Sequence, residues 1–238
     1  MTISVKKGFI TAKSSIFCFT LICFLNNVSG QQKELENTKP YKAYMVSNAH
    51  FDTQWRWDVQ TSINEFLKNT LYQNFHLLDT YPDYIFNFEG AVKYKWMKEY
   101  YPLEFDRVKV YAKQGRWNPS GSSWDANDFN IPSPESSFRN ILLGQTFFKT
   151  ELGVKSNDIF LPDCFGFPYT LPTITAHCGI LGFSTQKLQW RNNAFYGDSK
   201  IPFSVGIWEG VDGSRIMAAL DNGDYTRKFV HWEHGFLP

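Results

Sequence analysis

An α/β fold with parallel strands follows from three observations. Strand-like runs alternate with helical runs from residue 41 onward, the helical runs carry apolar residues three and four apart, and Gly, Pro and Ser residues punctuate the joins. This alternation allows either an open doubly wound sheet or part of a β/α barrel, and the pattern alone does not separate the two. There is no fixed-period repeat, low-complexity tract or linker after residue 40, which predicts one domain over residues 41–238.

Lys42 to Ala49 reads as the first strand. Ile63, Phe66, Leu67, Leu71, Phe75 and Leu78 then recur at helical spacing, with Ser62 and Glu65 as the capping box at the start. A second strand runs from Tyr84 to Phe88. Helices follow over Val92 to Tyr100 and Leu103 to Lys113, the latter opened by Pro102 and closed by Gly115. Arg116 to Asn118 is a short strand, Ser133 and Pro134 begin a helix that Gly153 ends, and Asp158 to Leu161 is the next strand. Pro172 to His177 is helical up to Gly179, and Phe183 to Gln186 is extended. Ser204 to Glu209 and Arg215 to Leu220 form a hairpin around Asp212 and Gly213.

Ahead of the domain, Lys6, Lys7 and Lys13 precede an apolar run from Ile16 to Leu25 that is too short to span a bilayer, the pattern of a secretory signal peptide over residues 1–30. Val28, Ser29 and Gly30 place the cleavage point before Gln31. Cys23 is a poor lipid-anchor site because bulky Ile22 precedes it. Residues 31–40 are a polar N-terminal segment. Export follows, to a periplasm or the cell exterior, with a lysosome-like compartment also open, and the mature chain contains no membrane span.

Removing three lysines and no acids from 24 basic and 23 acidic residues leaves a mature formal charge of −2. A chain this close to neutral, without a basic stripe, lacks the footprint of nucleic-acid binding. Its 8 Trp, 12 Tyr and 22 Phe offer many ring faces, of which most serve the core and some can stack on sugars. Cys164 and Cys178 remain after cleavage, either paired or as two free thiols.

Two short blocks carry chemistry. His50-Phe51-Asp52 directly follows the first strand; if it stays extended, both polar side chains share a face and can hold one divalent cation. An H-x-D tripeptide alone is a weak signal. Leu161-Pro162-Asp163-Cys164-Phe165-Gly166 follows a later strand, and Asp125 and Asp128 lie in the loop after Arg116 to Asn118. Asp before Gly or Pro is commonly a cap or turn residue, yet here all these acids fall at strand ends, where β/α barrels gather their chemistry. A metal site edged by a carboxylate suggests a hydrolase acting on a sugar or an acylated sugar. Either the cation activates water for amide or ester cleavage, or a carboxylate attacks an anomeric carbon.

From Ser47 to about Thr226 the chain resembles the N-terminal catalytic domain of family 38 α-mannosidases, particularly their bacterial branch. The resemblance rests on His50-Phe51-Asp52 with Trp55, on Gly115-Arg116-Trp117 through Gly121-Ser122-Ser123-Trp124 to Asp128 and Gly144-Gln145, and on Leu161-Pro162-Asp163 with Phe165-Gly166 and Leu171-Pro172. It implies a partial seven-stranded β/α barrel of the glycoside hydrolase/deacetylase type, represented here by about five strands and a hairpin. It also implies one Zn2+ on His50, Asp52 and Asp163, Asp163 as the nucleophile that forms a covalent mannosyl-enzyme, Trp55 stacking near the sugar, and mannose-containing glycans as substrates.

The resemblance has departures. Of the acids after Trp124 only Asp128 aligns, with its role open, and Gln186 and Lys187 lie where the family has polar residues near the nucleophile. The family's fourth metal ligand and general acid come from farther along, so the chain is expected to be an incomplete catalytic domain that is inactive alone. His231 and His234 come too soon to match that ligand, and His177 is expected to be a core histidine. Two rivals are a metal-dependent polysaccharide deacetylase, for which further clustered histidines are missing, and a non-catalytic sugar-binding protein.

Overall fold

The structure, a computed structural model, describes residues 47–186, 188 and 201–220. The expected signal peptide, the polar segment 31–40, the first residues of the first strand, Lys187, His231 and His234 lie outside the described residues.

From the second strand onward, each strand begins and ends within two residues of the run that announces it. β1 (Ser47–Ala49), β2 (Phe86–Glu89) and β3 (Trp117–Ser120) form a parallel sheet in that order. Ala49 lies opposite Phe88, which lies opposite Pro119. β4 (Asp158–Phe160), β5 (Gly182–Ser184), β6 (Val205–Glu209) and β7 (Arg215–Ala219) form a second sheet in the order β4-β5-β7-β6, with only β6 antiparallel. Five strands and a hairpin are thus present as expected, divided between two ladders.

The ladder breaks between β3 and β4, where side chains take its place. Asp158 Oδ2 accepts from Gly121 N at 3.1 Å, and Ser156 Oγ accepts from Ser122 N at 3.2 Å while donating to Asp158 Oδ1 at 2.9 Å. Burial pushes the Asp158 carboxyl up, against these hydrogen bonds.

α1 comprises Val59–Thr61, a π-helical stretch Ser62–Leu67 and Lys68–Thr80. Its start corrects the expected capping box. Asp58, in extended conformation, caps the helix by accepting from Thr61 N at 2.8 Å, whereas Ser62 is already helical. The Ser62 hydroxyl instead accepts from Trp57 Nε1 and donates to Thr53 O, each at 2.8 Å, which ties the segment after β1 to the helix. The apolar spacing did identify the buried face: Ile63, Leu67, Leu71, Phe75 and Leu78 are all buried.

α2 (Ala91–Tyr100) and α3 (Pro102–Lys113) follow β2. α4 (Pro134–Phe147) is capped by Ser133, whose Oγ accepts from Ser136 N, and it continues through a π-helical turn, Phe148–Leu152, to left-handed Gly153. α5 is Leu171–His177. A glycine inside α4 costs helix stability of about 1 kcal/mol. At Gly144, however, a Cβ would lie 2.4 Å from Ser122 O and 2.3 Å from Ser123 C, so only glycine lets α4 press against the loop after β3.

Two apolar clusters fill the interior. One gathers Leu71, Phe75, Phe86, Phe88, Tyr94 and Trp117 around the first sheet, and the other Ile159, Leu161, Leu171, Phe183 and Ile216 around the second. α4 serves both, with Ile141 in the second cluster and Phe148, in its π-helical extension, in the first. Polar ends within the first cluster are satisfied: Trp117 Nε1 donates to Tyr94 Oη, which donates to Phe88 O, each at 2.9 Å.

Candidate metal centre

β1 and β4 both deliver their chemistry just past their last residues. The chain leaves β1 into His50, Phe51 and Asp52, and leaves β4 through Leu161 and Pro162 into Asp163. The three predicted ligands meet there, one donor atom from each lying within 4.8 Å of the others. His50 Nε2 is 3.7 Å from Asp52 Oδ1 and 4.0 Å from Asp163 Oδ2. Donors on a tetrahedral zinc ion at its usual bond lengths stand about 3.4 Å apart. An imidazole and two carboxylates, gathered within 4.8 Å, therefore form a donor set of the kind that holds a divalent cation of the zinc type once the side chains close in on it.

Behind His50 is a pair of residues that sequence reasoning missed. Glu89 Oε1 contacts His50 Nδ1 at 2.9 Å and accepts from Lys93 Nζ at 2.7 Å. The Glu89 and Lys93 side chains are 3% and 1% exposed. Burial alone would raise the Glu89 carboxyl, but the Lys93 charge and the His50 contact overcome it and hold the group down at about 2. The available signal was an acid at a strand end followed by a glycine and, four residues on, a lysine.

The neighbouring acids sort differently. Asp125 Oδ2 accepts from Thr53 Oγ1 at 2.8 Å and joins the loop after β3 to the segment after Asp52. Its burial pushes the carboxyl up against that hydrogen bond. Asp128 is exposed and accepts from Asn130 N at 2.7 Å. Cys164 and Cys178 are free thiols. Burial raises the Cys164 thiol to about 12, and the charges of Asp128, Asp163 and Asp52 act in the same direction.

Trp55 follows the centre on the same segment. Its ring is 63% exposed, meets Trp57 edge-on at 5.8 Å and carries the Arg56 guanidinium 4.3 Å from its centroid. Gln186 is half-buried just beyond β5. His177 is a correction: it is exposed rather than in the core, with Nε2 2.9 Å from Asp212 Oδ2. It occupies the last turn of α5, two residues after the buried Thr175.

The sequence profile of the glycosyl hydrolases family 38 N-terminal domain matches residues 40–229. The chain belongs to glycosyl hydrolase family 38. Alpha-mannosidase G of Dictyostelium discoideum is 37% identical over 183 residues, which are 77% of this chain and 16% of that protein. Human alpha-mannosidase 2C1 is 34% identical over 182 residues, 76% of this chain and 17% of its own length. Saccharomyces cerevisiae alpha-mannosidase is 34% identical over 204 residues, 81% and 18% of the two chains. The chain thus spans less than a fifth of the length of these relatives. Among solved structures, an alpha-mannosidase from Enterococcus faecalis V583 superposes with a TM-score of 0.60 at 21% identity, covering 74% of this chain and 19% of that one. A 4-alpha-glucanotransferase from Thermococcus litoralis superposes at 0.57 and 17% identity, covering 81% and 28%. At these identities the two structures bear on the fold alone, which is the α/β fold of the family 38 N-terminal domain.

Proposed function

We propose that the protein carrying this chain is an exported, retaining, zinc-dependent α-mannosidase that removes terminal α-mannosyl residues from glycans, and that its two ladders belong to a seven-stranded β/α barrel. The observation that carries this reading is the convergence of His50, Asp52 and Asp163 within 4.8 Å in a chain of this family. The alpha-mannosidase names of its relatives supply the substrate class. They give no support to a deacetylase. Export rests on the lysines and apolar run of residues 1–30.

His50, Asp52 and Asp163 would hold the zinc ion. A cation held there would supply positive charge beside Asp163 and a site at which sugar hydroxyls could be oriented. Asp163 attacks the anomeric carbon as the glycosidic bond breaks, forming a covalent mannosyl ester, and water then releases mannose from the same face with retained configuration. The exposed ring of Trp55 provides a stacking surface for the sugar. The general acid and a fourth ligand are assigned to no residue here.

The test is hydrolysis of an aryl α-mannoside by the intact protein. Asp163→Asn is expected to reduce kcat by about 10³-fold or more, and a fluorinated mannosyl fluoride is expected to label Asp163 by mass spectrometry. Trp55→Ala is expected to raise KM more than it lowers kcat. Full activity in Asp163→Asn, or a label on another residue, contradicts the reading.

A further inference from the structure

We infer that Glu89, held by Lys93, is the positioning residue that sets the tautomer and orientation of His50 at the metal centre, an inference that rests on the metal reading of His50.

The parallel register brings the two residues together. Ser47, Asn48 and Ala49 lie opposite Phe86, Asn87 and Phe88, and the same offset carried one step further sets His50 beside Glu89 at the carboxyl edge. Lys93 Nζ already donates to Glu89 Oε1 at 2.7 Å, so that oxygen acts as an acceptor and the 2.9 Å contact assigns its proton to His50 Nδ1. In a neutral ring, Nε2 is then the nitrogen with the lone pair, and it is the one that faces Asp52 and Asp163.

Lys93 fixes this arrangement from two directions. Its ammonium donates to the same Glu89 oxygen and lies 4.6 Å from the centroid of Phe51, the residue between the two ligands of the H-x-D segment. Backbone geometry accommodates the pair. Gly90, at φ +85, turns the chain sharply enough for α2 to start and for Lys93 to fold back, with its Cε 3.5 Å from where a Cβ would stand. Gly121, at φ +78, leaves room against Glu89, whose Cβ would be 3.1 Å from an added Cβ. A buried ion pair adds little net stability over an apolar pair of similar shape, so a role in holding a ligand accounts for its presence better than stability does.

The test is zinc titration of the intact protein by calorimetry, with cobalt absorption as the coordination readout. Glu89→Leu/Lys93→Met removes both charges without leaving either one buried alone. It is expected to fold with an unchanged circular dichroism spectrum and to bind zinc about 10- to 100-fold more weakly. Glu89→Gln/Lys93→Met retains an oxygen acceptor for Nδ1 and is expected to recover most of that loss. Unchanged affinity in the leucine variant, with binding abolished in His50→Ala, overturns the positioning role and leaves the metal reading standing. Unchanged affinity in His50→Ala overturns the metal reading itself. Should the leucine variant fail to fold, ¹⁵N shifts of His50 in the metal-free wild type, recorded at a pH where the ring is neutral, decide: the proton is expected on Nδ1, and a proton on Nε2 instead overturns the inference.

Discussion

Among the described residues, two histidine–carboxylate contacts have the same 2.9 Å length. His50 meets Glu89 where the ring is 12% and the carboxylate 3% exposed, and His177 meets Asp212 where the values are 61% and 35%. Distance alone would rank them equal. What separates them is the third partner. Glu89 is bound by a buried lysine, so the contact cannot relax without stranding a charge in the interior. Asp212 is instead a turn residue, accepting from Thr173 Oγ1, Ser214 N and Ser214 Oγ besides His177. Those hydrogen bonds hold its carboxyl well below the usual range, Thr173 most strongly, and water can replace each of them. The first contact orients a candidate ligand, and the second fastens a hairpin to α5.

The largest effect that would break this comparison is on stability. Lys93→Met alone leaves the buried Glu89 with only its His50 contact in place of the ion pair, and chemical denaturation is expected to show a loss of about 3–5 kcal/mol. A loss near zero would mean that Glu89 is not a committed buried charge.

Acid unfolding sharpens the contrast further. The folded-state pKa of Glu89 is depressed from 4.5 to about 2, so its contribution to stability is present above 4.5 and is lost as pH falls toward 2. Thermal midpoints of the wild type should therefore fall more steeply across that window than those of Glu89→Leu/Lys93→Met. Parallel pH profiles would contradict this.

The smallest effect belongs to the exposed pair. His177→Ala is expected to move the thermal midpoint by no more than about 2 °C and to leave zinc affinity unchanged. A large shift would place His177 among the structural histidines, where the sequence reading had it.

That reading recovered what depends on local pattern. The buried stripe of α1, the Pro102 and Gly115 boundaries of α3, the left-handed stop at Gly153 and the hairpin around Gly213 are all written in residues close together in the chain. It also placed His50, Asp52 and Asp163 together, because three strand-end blocks in family order are more specific than any one of them. It missed what depends on competition or distance. Ser62 has the right spacing to Glu65 for a capping box, but Asp58 offers an earlier cap that satisfies Thr61, and Ser62 is claimed by Trp57 and Thr53. His177 was expected in the core because it lies on a predicted helix, whereas its side chain is exposed at the last turn of that helix. Glu89 and Lys93 were invisible because their meaning lies 39 residues away at His50, and only strand register brings them there. The break between β3 and β4 was equally hidden, since Ser156 and Asp158 look like ordinary loop and strand-edge residues until they meet the backbone of Gly121 and Ser122.

The central claim, that His50, Asp52 and Asp163 form a metal centre, is tested most directly by anomalous diffraction at the zinc edge from crystals of the intact protein grown with zinc. The account predicts one strong peak within coordinating distance of His50 Nε2 and of both carboxylates, and its disappearance in Asp52→Ala/Asp163→Ala. A zinc-bound crystal with its peak elsewhere, and none among these three side chains, would contradict it.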